Sequence, residues 1–94
     1  MPDFIMLMHD DADGGDWGPY LERLQKTGSL RGGSAIGGGV CVRKSGPSRP
    51  ITKHLAGFIR VEAGSLAEAQ ALLAGNPVFE SGGTVEIREL PKTD

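Results

Sequence analysis

Runs of apolar residues with three different spacings divide this chain into strands and helices. Phe4-Ile5-Met6-Leu7-Met8 is an uninterrupted apolar run of strand length, which predicts a strand buried on both faces and placed in the middle of a sheet. After an acidic, glycine-containing loop from Asp10 to Gly15, Trp17, Tyr20, Leu21 and Leu24 recur at helical spacing, while Glu22, Arg23, Gln25 and Lys26 fall on the opposite side. Asp16 stands where a carboxylate caps such a helix, and Gly28 where a left-handed residue ends it.

The stretch Ser29–Gly39 is rich in glycine but broken by Leu30 and Ile36, and it runs into Val40-Cys41-Val42-Arg43, a pattern that predicts a bent, bulged second strand. Lys44–Pro50 concentrates turn residues and prolines and reads as an exposed loop. From His54 to Glu62 the pattern alternates: Leu55, Gly57, Ile59 and Val61 on one face, His54, Ala56, Phe58, Arg60 and Glu62 on the other. Ser65 with Glu68 forms a capping box ahead of a helix bearing Leu66, Ala69, Leu72 and Leu73, stopped by Gly75 and Pro77. Thr84–Leu90 alternates again, with Val85 and Ile87 facing inward and Glu86 and Arg88 outward.

The order is βαββαβ, an α+β ferredoxin-like plan with a four-stranded antiparallel sheet and two helices on one of its faces. Residues 1–94 are expected to form a single domain. In this plan the first and third strands are central and one sheet face is left open, and the first strand and Phe58 put large apolar side chains on it. A homodimer that packs two open faces together is the simplest cover. The same parity sends Arg60, Glu86, Arg88 and His54 to that face, where they either pair across or around the interface or line a hydrated cavity open to a small polar ligand.

With 94 residues, the chain buries a smaller share of its surface than a larger domain would, which strengthens the case for a partner subunit. Lys and Arg number 10 against 12 Asp and Glu, so neither nucleic acid nor an anionic membrane is an expected partner. The single cysteine, Cys41, excludes an internal disulfide and a multi-cysteine zinc site, and is expected to be a small buried strand residue. That usage, together with the lack of a long apolar run, suits a cytoplasmic protein.

His9 and Asp10 lie where the first strand ends, and a histidine beside carboxylates is a general-base candidate. His54 is the second candidate base. Beside it on the third strand, Arg60 is suited to holding a substrate carboxylate and Phe58 to stacking on a ring. Tyr20 fits core packing by its spacing, and its hydroxyl is also a candidate ligand contact. His9, Asp10, Asp11, Asp13 and Asp16 match no calcium-loop or zinc-helix spacing, so no metal is expected. The glycines match neither phosphate-binding pattern, there is no GxSxG elbow, and no organic cofactor is implied.

The FIMLM opening, WGPYLERLQKTGSL, TKHLAGFIRVEAGSLAEAQALLAGNP and the closing GGTVEIREL together resemble the YCII-related proteins, including the branch named for an Asp-Gly-Pro-Phe motif, within the dimeric α+β barrel superfamily. The resemblance spans nearly the whole chain and implies a dimeric barrel. Where that branch carries its name motif, this chain has Ser48-Arg49-Pro50-Ile51, and the acidic residue usual after Thr-Lys is His54. Other members carry a histidine on the first helix that works with an aspartate; the matching position here is Tyr20. The expectation is therefore a homodimer with a small-molecule cavity, performing acid-base chemistry on a small polar or aromatic metabolite. The alternative is a ligand-binding or accessory module without chemistry.

Overall fold

The structure, a computed structural model, describes residues 1–12 and 14–92. Its elements are β1 (Asp3–His9), α1 (Trp17–Lys26), β2 (Leu30–Ala35), β3 (Leu55–Glu62), α2 (Leu66–Ala71), α3 (Pro77–Glu80) and β4 (Val85–Leu90). The four strands form one antiparallel sheet in the order β2-β3-β1-β4, the ferredoxin-like arrangement that the apolar pattern predicts. Among the described residues, no helix is long and apolar enough to cross a membrane.

Strand parity decides which side chains meet the helices. Phe4, Met6 and Met8 of β1 lie opposite Val61, Ile59 and Gly57 of β3 and opposite Glu89, Ile87 and Val85 of β4. With Tyr20 and Leu24 from α1, and Ala69 and Leu73 from the α2 region, they make a single core on one side of the sheet. Met6, Leu24 and Val61 are fully enclosed in it. Ile5 and Leu7 point the other way and are only half-buried. The expectation that β1 is buried on both faces is therefore met on one face only within a single chain, because the helices all pack on that face.

Local chemistry sets the helix ends. Asp16 accepts from the Gly18 amide at the start of α1, and Gly28, just past its end, takes the left-handed conformation (φ 76°) that a side chain would disfavour. Ser65 accepts from the Glu68 amide, and the Glu68 carboxylate reaches back to the Gly64 amide, so the predicted capping box forms. Pro77 does more than stop a helix. Asn76, fully buried, accepts from the Val78 and Phe79 amides, and Pro77 occupies the first turn of the short α3 that follows.

The second strand differs from its prediction. β2 ends at Ala35, and residues 36–54 have no regular structure. β3 begins at Leu55, so among the described residues the Val40–Arg43 stretch has no neighbouring strand to hydrogen-bond with. Cys41 is accordingly exposed, not buried as expected. The expected bulge is present, as a register shift between Leu30 and Gly32. A second shift, between Met8 and His9, sets Leu55 opposite His9 and takes it out of step with Gly57, Ile59 and Val61; it lies beside Ile36 and Ile51.

The loop after β1 is tied down across the sheet. Asp11 accepts from both the backbone amide (2.9 Å) and the hydroxyl (2.6 Å) of Thr84, just ahead of β4. These bonds hold its carboxyl below the usual carboxylate range, and Arg31 does the same for Glu62 at 2.9 Å. Both carboxylates favour the fold at ordinary carboxylate pKa values and above, and this contribution is lost as pH falls through their lowered folded values. The thermal midpoint should thus hold steady near neutrality and drop below about pH 5, with a smaller drop in Thr84→Val. In denaturant unfolding, Met6→Ala should cost about 2–5 kcal/mol and Asn76→Ala about 1–2 kcal/mol. An unchanged midpoint for both variants would contradict the packing described.

Candidate functional site

The face of the sheet away from the helices carries a polar row at one end. Counting along β1, Ile5, Leu7 and His9 share that face, with Phe58 and Glu86 flanking Leu7 and Arg60 and Arg88 flanking Ile5. The predicted parity of Phe58, Arg60, Glu86 and Arg88 is thus the one the structure has. At the end of β1, the rings of His9 and His54 meet edge to face, centroids 4.7 Å apart. His9 Nε2 lies 3.4 Å from Glu86 Oε1, and Arg88 Nη1 lies 3.2 Å from Glu86 Oε2. Arg88 first, then His9, holds the Glu86 carboxyl below its ordinary range. An ionised Glu86 favours the tautomer in which His9 Nε2 carries the hydrogen, leaving Nδ1 with the free lone pair.

Other candidates stand apart from this row. Arg60 pairs with Asp3 at 3.7 Å, at the level of Ile5, roughly 13 Å along the strand from His9. Asp10 is exposed beyond the strand, and its backbone amide donates to the His54 carbonyl at 2.8 Å, which fixes where His54 sits. Tyr20 lies on the helix side of the sheet, 3% exposed, with its hydroxyl donating to the Leu72 carbonyl at 2.8 Å and 3.7 Å from Met6 Sδ. Burial raises its pKa, partly offset by the Asn76 amide and Arg23. A tyrosine so placed supports the core, and the sheet separates its hydroxyl from the open face. Among the described residues no cluster suited to a metal ion occurs: Asp11 is engaged by Thr84 and Asp16 caps α1. Asp13 lies outside the described residues.

A recess lies on the helix side, whereas the sequence pointed to the open face. It has a volume of about 600 Å³ and runs between α1 and the β2–β3 half of the sheet. Met8, Trp17, Leu21, Leu30, Ile59 and Val78 wall it, and Gly32, Gly33 and Gly57 contribute backbone without side chains. Gly33 is demanded by the strand itself, since a Cβ there would lie 2.6 Å from the Phe58 carbonyl oxygen and 2.9 Å from Ile59 Cγ2. The missing side chains leave the sheet surface bare under α1, and the recess is the result. Its lining among the described residues includes one titratable residue, His9, and no Lys, Arg, Asp or Glu.

His9 therefore belongs both to the recess and to the chain Arg88–Glu86–His9–His54. Helical spacing marked Trp17 and Leu21 as core; the signal that would have marked a cavity was the coincidence of glycines on paired strands, Gly33 opposite Ile59 and Gly57 between Met8 and Ala35. Glycine clusters in strands report close backbone approach or unfilled space.

Comparison with known proteins places this geometry in context. Among solved structures, the chain is similar in fold to 5-chloro-2-hydroxyhydroquinone dehydrochlorinase from Burkholderia phenoliruptrix AC1100, determined in complex with 2,5-dihydroxybenzoquinone. It superposes with a TM-score of 0.58 at 16% sequence identity, over 97% of this chain and 95% of that one. No functionally curated protein matches the sequence. The family model for the YCII-related domain matches residues 2–92, the whole of the sheet and its helices, and the chain belongs to that family.

Proposed function

We propose that this chain is a homodimeric protein whose recess beside α1 takes a small, largely uncharged aromatic or quinone-like molecule, with His9 moving a proton at its edge. The observation that carries this reading is that His9 is the titratable residue of an otherwise apolar recess and is also in contact with Glu86. An anionic ligand finds no cationic lining residue there, so the expected carboxylate anchor at Arg60 is not part of this reading. Flat rings suit a space bounded by Trp17 on one side and bare glycine backbone on the other. The solved neighbour named as a dehydrochlorinase, held with a dihydroxybenzoquinone, agrees with a single flat ring as the ligand.

The chemistry follows from the hydrogen-bond order. Arg88 keeps Glu86 ionised, Glu86 accepts from His9 Nε2–H, and His9 Nδ1 takes a proton from an acidic hydroxyl or ring carbon. The imidazolium so formed is stabilised by Glu86 and returns the proton to the product. A packed second subunit on the open face shields this row from water. Ile5, Leu7 and Phe58, each half-buried in a single chain, supply the apolar centre of that interface, at about 1.5–3 kcal/mol per large side chain enclosed. The Arg60–Asp3 and Arg88–Glu86 pairs leave these charges matched as they enter it. The reducing environment of the cytoplasm suits the free Cys41.

A second reading, ligand binding without turnover, is favoured by one feature: α1 supplies Tyr20, buried in the core, where other members present a histidine.

Trp17 is the chain's single tryptophan and lines the recess, which makes its fluorescence a direct reporter. Titration with hydroquinone, an uncharged ring, checked by calorimetry, should show saturable binding at one site per chain, and benzoate should bind far more weakly. Absence of binding at millimolar ligand would overturn the assignment. His9→Ala should keep the binding and lower turnover of a converted substrate about 10²–10⁴-fold. If turnover is unaffected by this change, His9 has no chemical role.

A further inference from the structure

Among the described residues, three side chains that line the recess carry nitrogen or oxygen: His9, Trp17 and Ser34. The Ser34 hydroxyl donates to the Ala35 carbonyl at 2.8 Å, so its hydrogen is engaged within its own strand. His9 offers Nδ1 as an acceptor while its Nε2 hydrogen is directed at Glu86. Trp17 is the remaining group, and an indole N–H can only donate.

Trp17 opens α1, directly after the cap residue Asp16. Its ring meets that of Tyr20 edge to face, centroids 5.9 Å apart, and Tyr20 is itself pinned by its bond to the Leu72 carbonyl. A buried neighbour thus orients the indole. Its nitrogen edge lies toward Gly14, a second residue of the recess lining, where a Cβ would stand 3.6 Å from Nε1, in van der Waals contact, and would partly cover it. Among the described residues no acceptor is in hydrogen-bond contact with Nε1, nor is it sealed in the core without a partner as Asn76 Nδ2 is. An N–H that is neither bonded nor sealed is open to what occupies the recess.

We infer that the Trp17 indole N–H is a second polar contact of the bound molecule, and that the recess takes a ring carrying two oxygens. One is a hydroxyl whose hydrogen is directed at His9 Nδ1; the other accepts from Trp17 Nε1–H. This rests on the aromatic-ligand reading above and narrows it to dioxygenated rings. A ring with one oxygen satisfies either His9 or Trp17 and leaves the other without a partner once water is displaced, which is how a site tells apart ligands that differ by one polar group.

Because Trp17 is the single tryptophan, the protein gives one indole N–H signal in its proton magnetic resonance spectrum. Saturation with hydroquinone should shift that signal downfield, whereas 4-methylphenol, in which a methyl group replaces the second hydroxyl, should move it far less. This comparison is made in the wild type and does not depend on a variant folding. By calorimetry, Trp17→Phe should weaken the binding of hydroquinone relative to that of 4-methylphenol by about 5-fold, with the far-ultraviolet circular dichroism unchanged. Equal indole shifts with the two rings, or equal losses of affinity in the variant, overturn the donor role and leave the recess as the ring site. Failure of the wild type to bind either ring overturns both this inference and the reading on which it rests.

Discussion

The fold depends on β1 having two usable faces while the helices cover only one of them. Phe4, Met6 and Met8 are enclosed by Tyr20, Leu24, Val61 and their neighbours, and the sheet order places β1 between β3 and β4, where both its edges are paired. The opposite row, Ile5, Leu7 and His9, inherits whatever the parity of β3 and β4 brings to it. That single constraint puts Phe58 and Glu86 beside Leu7, toward His9, and both Arg60 and Arg88 beside Ile5, from where Arg88 reaches back to Glu86 and Arg60 pairs with Asp3. The polar row is thus a consequence of packing the core on the other side.

The recess has a related origin. Where β2 and β3 pair, glycines stand at positions that in β1 and β4 are filled by Met6, Met8, Val85 and Ile87, so α1 rests over a thinner layer on that half of the sheet. Close strand approach at Gly33 prevents a side chain from refilling the space. Trp17 and Leu21 close it from above, and His9, at the end of β1 beside a register shift, stands where recess and polar row join. The Asp11–Thr84 bonds hold the loop that continues from His9, so the geometry at this corner is fixed from both directions.

Strand alternation, the capping box and the helical spacing of α1 made the order of elements and the parity of Phe58, Arg60, Glu86 and Arg88 legible in the sequence. Those signals are local, and the fold honours them. Pairing partners are not local: Val40–Val42 has the composition of a strand, yet β3 starts too late to pair with it. The contact of His9 with His54 was hidden for the same reason, since it needs the register shift that brings Leu55 opposite His9. Tyr20 illustrates the converse, a residue whose helical spacing rightly marked it as core although its hydroxyl invited a chemical role. The recess is not legible in the sequence because absence of side chains leaves no apolar pattern to read.

The most direct measurement is a crystal structure of the protein grown with hydroquinone. The expected result is ring density between Trp17 and the bare backbone of Gly33 and Gly57, with a ligand oxygen within hydrogen-bond reach of His9. Density confined to the open face near Arg88, or a recess filled by Trp17 and Leu21 with no ligand at saturating concentration, would contradict the assignment of this recess as the functional site.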